Sequence, residues 1–158
     1  MKYFIDTNVF IDYWRFYPIA QFSSFWDFIE SKIVSGEIVV CSSVYDELLD
    51  PNQKGWLDDV SNRNAISFYA FENAIDIYGT VINSINDQGY YNTKAMSTFQ
   101  TVADAKVIAC AKKENAYVVT NERPGGGVGR VKVPDACNKF GVPWINGIQL
   151  FQLLGFSS

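Results

Sequence analysis

Four acids lie far apart in the chain, each beside an apolar run: Asp6 in "YFIDTN", Glu47 in "SSVYDELLD", Asp104 in "TVADAKVIACAKKENA" and Glu122 in "VVTNE". A carboxylate at the end of a core strand is costly to bury unless something positive sits against it. Asp6 therefore either caps the helix that follows or holds a cation. If the four acids meet, they repel and raise one another's pKa until a cation neutralises them. The chain has no histidine, and its three cysteines (Cys41, Cys110 and Cys137) form no CxxC pair. Oxygen donors without nitrogen or sulfur suit Mg²⁺ or Mn²⁺. Such ions lower the pKa of bound water and stabilise a leaving oxygen, which points to metal-assisted phosphodiester hydrolysis. The absence of histidine excludes a Ser-His-Asp triad, a Cys-His pair and histidine acid–base ribonuclease chemistry.

The acids need elements to position them. Apolar runs predict short strands at 3–5, 38–42, 117–120 and 142–146. Helical spacing and cap signals predict helices at 8–16, from 24 to a stop at Gly36, from 42 or 43 to Pro51, and at 56–60. Further helices are expected at 71–86, 101–116, 134–140 and 147–154, with residues 90–99 a tyrosine-rich connector or short helix. Strands alternating with helices imply an α/β domain with a mainly parallel sheet. In such sheets, sites form at the carboxyl ends of the strands. Asp6 and Glu122 follow the first and third strands, Glu47 lies on the helix leaving the second, and Asp104 begins the helix before the third. Taken singly, each acid has a plainer reading. Asp104 is a charge favoured at a helix N-terminus, and Glu47 is a capping-box partner of Ser43.

Composition frames these choices. Hydrophobic residues make up 48% of 158 residues and aromatic residues 16%, enough for a substantial core in a single domain over 1–158. No stretch approaches the ~20 apolar residues of a membrane span, and "MKYFIDTN" lacks a signal-peptide pattern, so a cytoplasmic protein is expected. The cysteines read as small core residues in a reducing compartment. Residues 1–90 carry 5 Lys and Arg against 13 Asp and Glu, a net of −8, and residues 91–158 carry 8 against 4, a net of +4. This is either chance segregation or a basic strip beside an acidic pocket. The loop "NERPGGGVGRVKVP" lacks the Gly-Lys-Ser/Thr of a P-loop. It is either a flexible surface connector or a phosphate-contacting segment through Arg123, Arg130 and Lys132. The aromatics of "FIDYWRFYP" read as a core or dimer face, with base stacking the alternative.

Together, "FIDTNVFID", "SSVYDEL" and "ADAKVIACAKKENAYVVTNE" resemble the PIN-domain nucleases, which include the VapC-like toxins. The likeness covers nearly the whole chain and is nearest to an uncharacterised PIN-like group with the same "FIDTN", "VYDEL" and "PD-x-C" stretches. It implies a three-layer α/β/α fold with a central, mainly parallel sheet of four or five strands. It also implies Mg²⁺ or Mn²⁺ dependence, endoribonuclease action, a cognate antitoxin and often a homodimer. By position, Asp6, Glu47 and Asp104 match the first three metal ligands, and Thr7, Asn8, Thr120 and Asn121 support the pocket. The family carries Asp two residues after the threonine where this chain has Glu122. Asp135 of "VPDAC" is a further candidate for that last place, ranked below Glu122. Two other functions stay open: a PIN-like module that binds RNA or protein without cleaving, and a structure-specific DNA nuclease.

Overall fold

The computed structural model describes residues 1–157. Four short strands form one parallel sheet in the order β2-β1-β3-β4, with β1 Tyr3–Ile5, β2 Ile38–Val39, β3 Tyr117–Val119 and β4 Trp144–Ile145. Tyr3 pairs with Ile38 on one side and with Tyr117 on the other, and Val118 pairs with Trp144. β1 buries three successive residues. Side chains alternate between faces, so both faces of the sheet are covered. The helices are α1 Thr7–Phe16, α2 Ser23–Val34, α3 Ser42–Glu47, α4 Pro51–Asn64, α5 Ile75–Asp87, α6 Thr93–Thr101, α7 Asp104–Lys113, α8 Val133–Phe140 and α9 Gly147–Leu154. Among them none is long and apolar enough to cross a membrane.

Several predicted boundaries move, each for a local reason. The second strand stops at Val39, and Cys41 makes only an isolated bridge to Tyr69. Pro51 does not close the helix of Glu47. That helix has already turned extended at Leu48, and Pro51 opens α4, whose N-cap Asp50 accepts a 2.8 Å bond from the Asn52 N–H. The helix expected over 71–86 begins as a 3₁₀ turn, Phe71–Ala74, before α5. α2 starts after Phe22 with no side-chain cap, although serines are available. Trp26 rather than Phe28 completes its buried face.

α7 is the central helix of the fold: Ala105, Val107, Ile108, Ala109, Cys110 and Ala111 are all buried. A helix apolar nearly all round belongs inside a domain. All three cysteines are free and buried, and the sulfurs of Cys41 and Cys110 lie 3.3 Å apart between the start of α3 and α7.

The aromatics of α1 mostly enter the core. Phe10 and Tyr13 are buried, and Tyr13 stacks on Phe151 of α9 at 4.8 Å between centroids. Of the aromatics in that stretch Phe16 alone is largely exposed, at 62%. The Tyr13 hydroxyl donates to the Gly147 carbonyl at 2.7 Å. A Cβ at Gly147 would stand 2.9 Å from Tyr13 Cε1 and 3.1 Å from Val9 Cγ1. Gly147→Ala is therefore expected to destabilise the fold by about 1–3 kcal/mol through overpacking. An unchanged denaturation midpoint would show that α9 can move off α1 freely.

Candidate active site

Asp6 leaves β1 and caps α1. Its N–H donates to the Val119 carbonyl at 2.9 Å, which extends the β1–β3 pairing by one residue and turns the side chain to the sheet edge. One carboxylate oxygen accepts from the Thr7 N–H at 2.8 Å. The other accepts from Asn8 Nδ2 at 3.0 Å and from the Thr120 hydroxyl at 3.2 Å. The cap reading of Asp6 is thus correct, but a cap does not explain its depth. The residue is 1% exposed, and its three partners are neutral. Burial, then Asp104, then Glu122 push its pKa well above the usual carboxylate range, and the bonds from Thr7 and Thr120 only partly offset them.

Asp104 is the first residue of α7 and faces the same cavity, of about 470 Å³, that Asp6, Glu47 and Glu122 line. Its carboxylate accepts no hydrogen bond from the described residues. Burial raises its pKa to about 7, with Glu122 and Glu47 adding to the rise and Arg130 and Lys132 opposing it. Beside these acids the Thr7 hydroxyl, 4% exposed in residue terms, has no hydrogen-bond partner among the described residues. An unsatisfied buried hydroxyl costs ~1–3 kcal/mol, so a polar group that completes this pocket would be favoured.

The two glutamates are already engaged. Glu47 Oε2 accepts from the Ala103 N–H at 2.7 Å. It therefore caps the start of α7, not its own helix as the Ser43 capping box predicts, because α3 ends at Glu47 itself. Glu122 Oε1 takes the Arg130 guanidinium at 3.0 Å, and Oε2 takes the Val133 N–H at 3.2 Å. Asp135 is not in the cavity. Its carboxylate accepts from the Gly125 N–H at 2.9 Å and closes the glycine-rich loop onto α8. Among the described residues no three acids or cysteines form a group that could hold a metal ion as they stand. The cavity nonetheless gathers four of the five candidate ligands, Asp6, Glu47, Asp104 and Glu122, and leaves Asp135 outside it.

Asn8, Thr120 and Asn121 form the support around Asp6. Asn8 Oδ1 accepts from the Asn121 N–H at 3.1 Å, and Thr120, fully buried, also accepts from the Glu122 N–H at 3.2 Å. The Asn121 side chain turns away, to Asp12 at 2.8 Å and the Gly147 N–H at 2.9 Å. Of the three basic residues expected at the site, Arg130 alone lines the acidic cavity. Arg123 lines a neighbouring cavity with Asp12 and Trp144. Lys132 stands at the N-cap position of α8 without a side-chain cap and reaches the acids through its field on Asp104. The cavity wall contains one cation that sequence reasoning missed, Lys94 on α6. "NTKA" carries an N-cap signal, since Asn92 accepts from the Ala95 N–H at 2.8 Å. That signal finds the helix but not its place in the fold.

The sequence matches the family described as "Domain of unknown function (DUF4411)" over residues 3–157. No curated protein matches the chain. Among solved structures, the chain is similar in fold to VapBC2 from Rickettsia felis bound to a DNA fragment from their promoter, with TM-score 0.54 and 17% identity. It is similar to FitAcB from Neisseria gonorrhoeae with TM-score 0.54 and 18% identity. Each similarity covers 92% of this chain and 98% of the other.

Proposed function

The chain belongs to DUF4411, a PIN-like family, and on that premise we propose that it is a divalent-metal-dependent nuclease that hydrolyses RNA phosphodiesters, the toxin of a toxin–antitoxin pair. The observation that carries this reading is the pair Asp6 and Asp104: a buried acid and a half-buried one that line one cavity, the charge of Asp104 helping to hold the Asp6 carboxyl above its usual range, with no basic side chain among the described residues in an ion pair with either. The donor chemistry fits Mg²⁺ or Mn²⁺. Mg²⁺ commonly keeps several waters and takes only one or two carboxylates from the protein. Asp6 and Asp104 would hold the ion, and the unpartnered Thr7 hydroxyl is placed for a polar neighbour in the same pocket. Bound there, the ion would supply a water of lowered pKa and charge stabilisation at the phosphoryl oxygens.

The chain's own side chains do the rest. Asn8 and Thr120 fix the rotamer of Asp6 by donating to the same oxygen. Glu47 holds the start of α7, and with it Asp104, by its bond to Ala103. Arg130 and Lys94 bring positive charge to the cavity that a phosphate backbone would enter. A partner protein is proposed from the fold neighbours, which are toxin–antitoxin complexes.

The engagement of Glu122 favours a second reading, a module that binds RNA without cutting it. One experiment separates the two. A mixed, structured RNA pool and a DNA pool are incubated with wild type and Asp6→Asn in Mn²⁺, Mg²⁺ or EDTA. The nuclease reading requires metal-dependent cleavage of RNA by wild type and none by the variant. Binding without cleavage supports the second reading, and cleavage of DNA alone reassigns the substrate.

A further inference from the structure

Glu122 stands where the family resemblance places a fourth metal-binding acid, yet its charge is already matched by a cation, whereas the donors to Asp6 are all neutral. One of its oxygens holds Arg130 at 3.0 Å, the other the N–H of Val133 at 3.2 Å, the first residue of α8. The glutamate side chain is 9% exposed, whereas that of Arg130 is 59% exposed. The pair is therefore a buried anchor with an open cationic end. An aspartate, shorter by a methylene, would have less reach to span both partners.

The loop that carries Arg130 is held as well. A Cβ at Gly126 would stand 2.5 Å from the Arg130 carbonyl oxygen and 2.9 Å from Lys132 Cγ, so the loop folds tightly on itself just before the arginine. The Val128 carbonyl accepts from the Asn92 N–H at 2.9 Å, which ties the loop to the start of α6. Lys94 is two residues further on, is exposed, and makes no ion pair among the described residues. One hydrogen bond thus links the segments that carry the two cations, and both cations line the cavity of Asp6 and Asp104.

We propose that Glu122 is a positioning residue and not a metal ligand, and that it holds Arg130 so that Arg130 and Lys94 form a receptor for the phosphodiester backbone of a single-stranded RNA. The proposal rests on the nucleic-acid reading of the cavity and names the groups that engage the backbone. A guanidinium fixed by a carboxylate on one side keeps free N–H donors for a phosphate on the other. The lysine adds a second, more mobile charge. Gly126 then serves close folding beneath Arg130, and the loop is more than a connector.

The test measures two bindings separately. A fluorescent, non-cleavable 2′-O-methyl RNA oligonucleotide is titrated in EDTA over a range of salt concentrations, and Mn²⁺ alone is titrated by calorimetry. The proteins are wild type, Glu122→Gln, Arg130→Gln, Lys94→Gln, the Glu122→Gln/Arg130→Gln double variant and Asp104→Asn. Lys94→Gln and Arg130→Gln are each expected to weaken the oligonucleotide and reduce the salt slope by about 0.7, the loss of one phosphate contact on a single strand. Glu122→Gln should weaken it through Arg130, so the double variant should bind no worse than Arg130→Gln. Glu122→Gln should keep the wild-type Mn²⁺ affinity, which Asp104→Asn loses. Loss of Mn²⁺ affinity in Glu122→Gln overturns the positioning role. An oligonucleotide affinity and salt slope unchanged by both cation variants overturns the receptor. If wild type binds no Mn²⁺, the metal-nuclease reading fails, while the EDTA titrations still decide the receptor and the double variant still decides the role of Glu122. Thermal melts of every variant separate misfolding from either result.

Discussion

Asp104→Asn is expected to abolish divalent-cation binding and cleavage while leaving the metal-free protein as stable as wild type or more so. Replacing an outer-shell partner of a metal costs roughly 10–100-fold in affinity or activity, and a direct ligand should exceed that. Asn has the shape of Asp but half its oxygens and none of its charge. The stability sign follows from the surroundings. Asp104 accepts no hydrogen bond from the described residues, so none is lost. Its favourable interaction with the start of α7 is ~0.3–1 kcal/mol. Against that stands its repulsion with Glu122, Glu47 and Asp6, together with the burial of its charge. A variant that unfolds more readily in EDTA would show that Asp104 serves the fold. A variant that still binds Mn²⁺ would remove it from the site. Calorimetry and thermal melts on one preparation read both.

The second large effect links pH to metal. Asp6 and Asp104 have folded-state pKa values above that of an unfolded aspartate, ~3.9, with Asp104 at about 7. Between about pH 4 and 7 the folded state therefore binds more protons than the unfolded state. The contribution of Asp104 to stability then falls as pH rises through that window, by an amount on the order of a few kcal/mol, and Asp6 acts in the same direction. Above it, the contribution levels off at its lowest value. Glu30, Glu37 and Glu114 act in the opposite sense and in a lower window. Cationic or hydrogen-bonding partners hold their pKa values down, so they lose stability only as acid protonates them.

Mn²⁺ at about 100 times its dissociation constant would add ~2.7 kcal/mol. For a chain of this size that is a rise in melting temperature of about 5–10 °C. The rise should be present at pH 8 and largely absent at pH 5.5, where protons occupy the same oxygens. Melts at both pH values, with Mn²⁺ and with EDTA, give the four numbers needed. An equal rise at both would place the ion elsewhere.

The acids that cap or follow a strand were readable before the fold was known, because strand ends and helix starts are local. Asp6 and Asp104 stand where strand–helix alternation places them, and Thr120 donates to Asp6 from the position that the family resemblance gives its buttress. What failed depended on tertiary packing. Glu47 satisfies the start of a helix 56 residues away, and no local signal specifies that partner. Glu122 and Asp135 are rival candidates in the sequence, yet each holds the glycine-rich loop from a different side. Their choice of partner depends on how that loop folds back. Lys94 reaches the cavity only because α6 packs beside it. The Asp-Pro of residues 50 and 51 could have been read correctly, since Pro just inside a helix start is a favourable pattern. Its nearness to the preceding apolar run made it look like a stop.

The three residues after β3 send their side chains in three directions: Thr120 to Asp6, Asn121 to Asp12 and the start of α9, and Glu122 to Arg130 and α8. Each could be exchanged for a near relative with one set of contacts at risk. A change of length is different. One residue inserted between Val119 and Thr120 would shift the register of every later side chain and misdirect all three sets at once. Length variation in this family should therefore be excluded from the tripeptide.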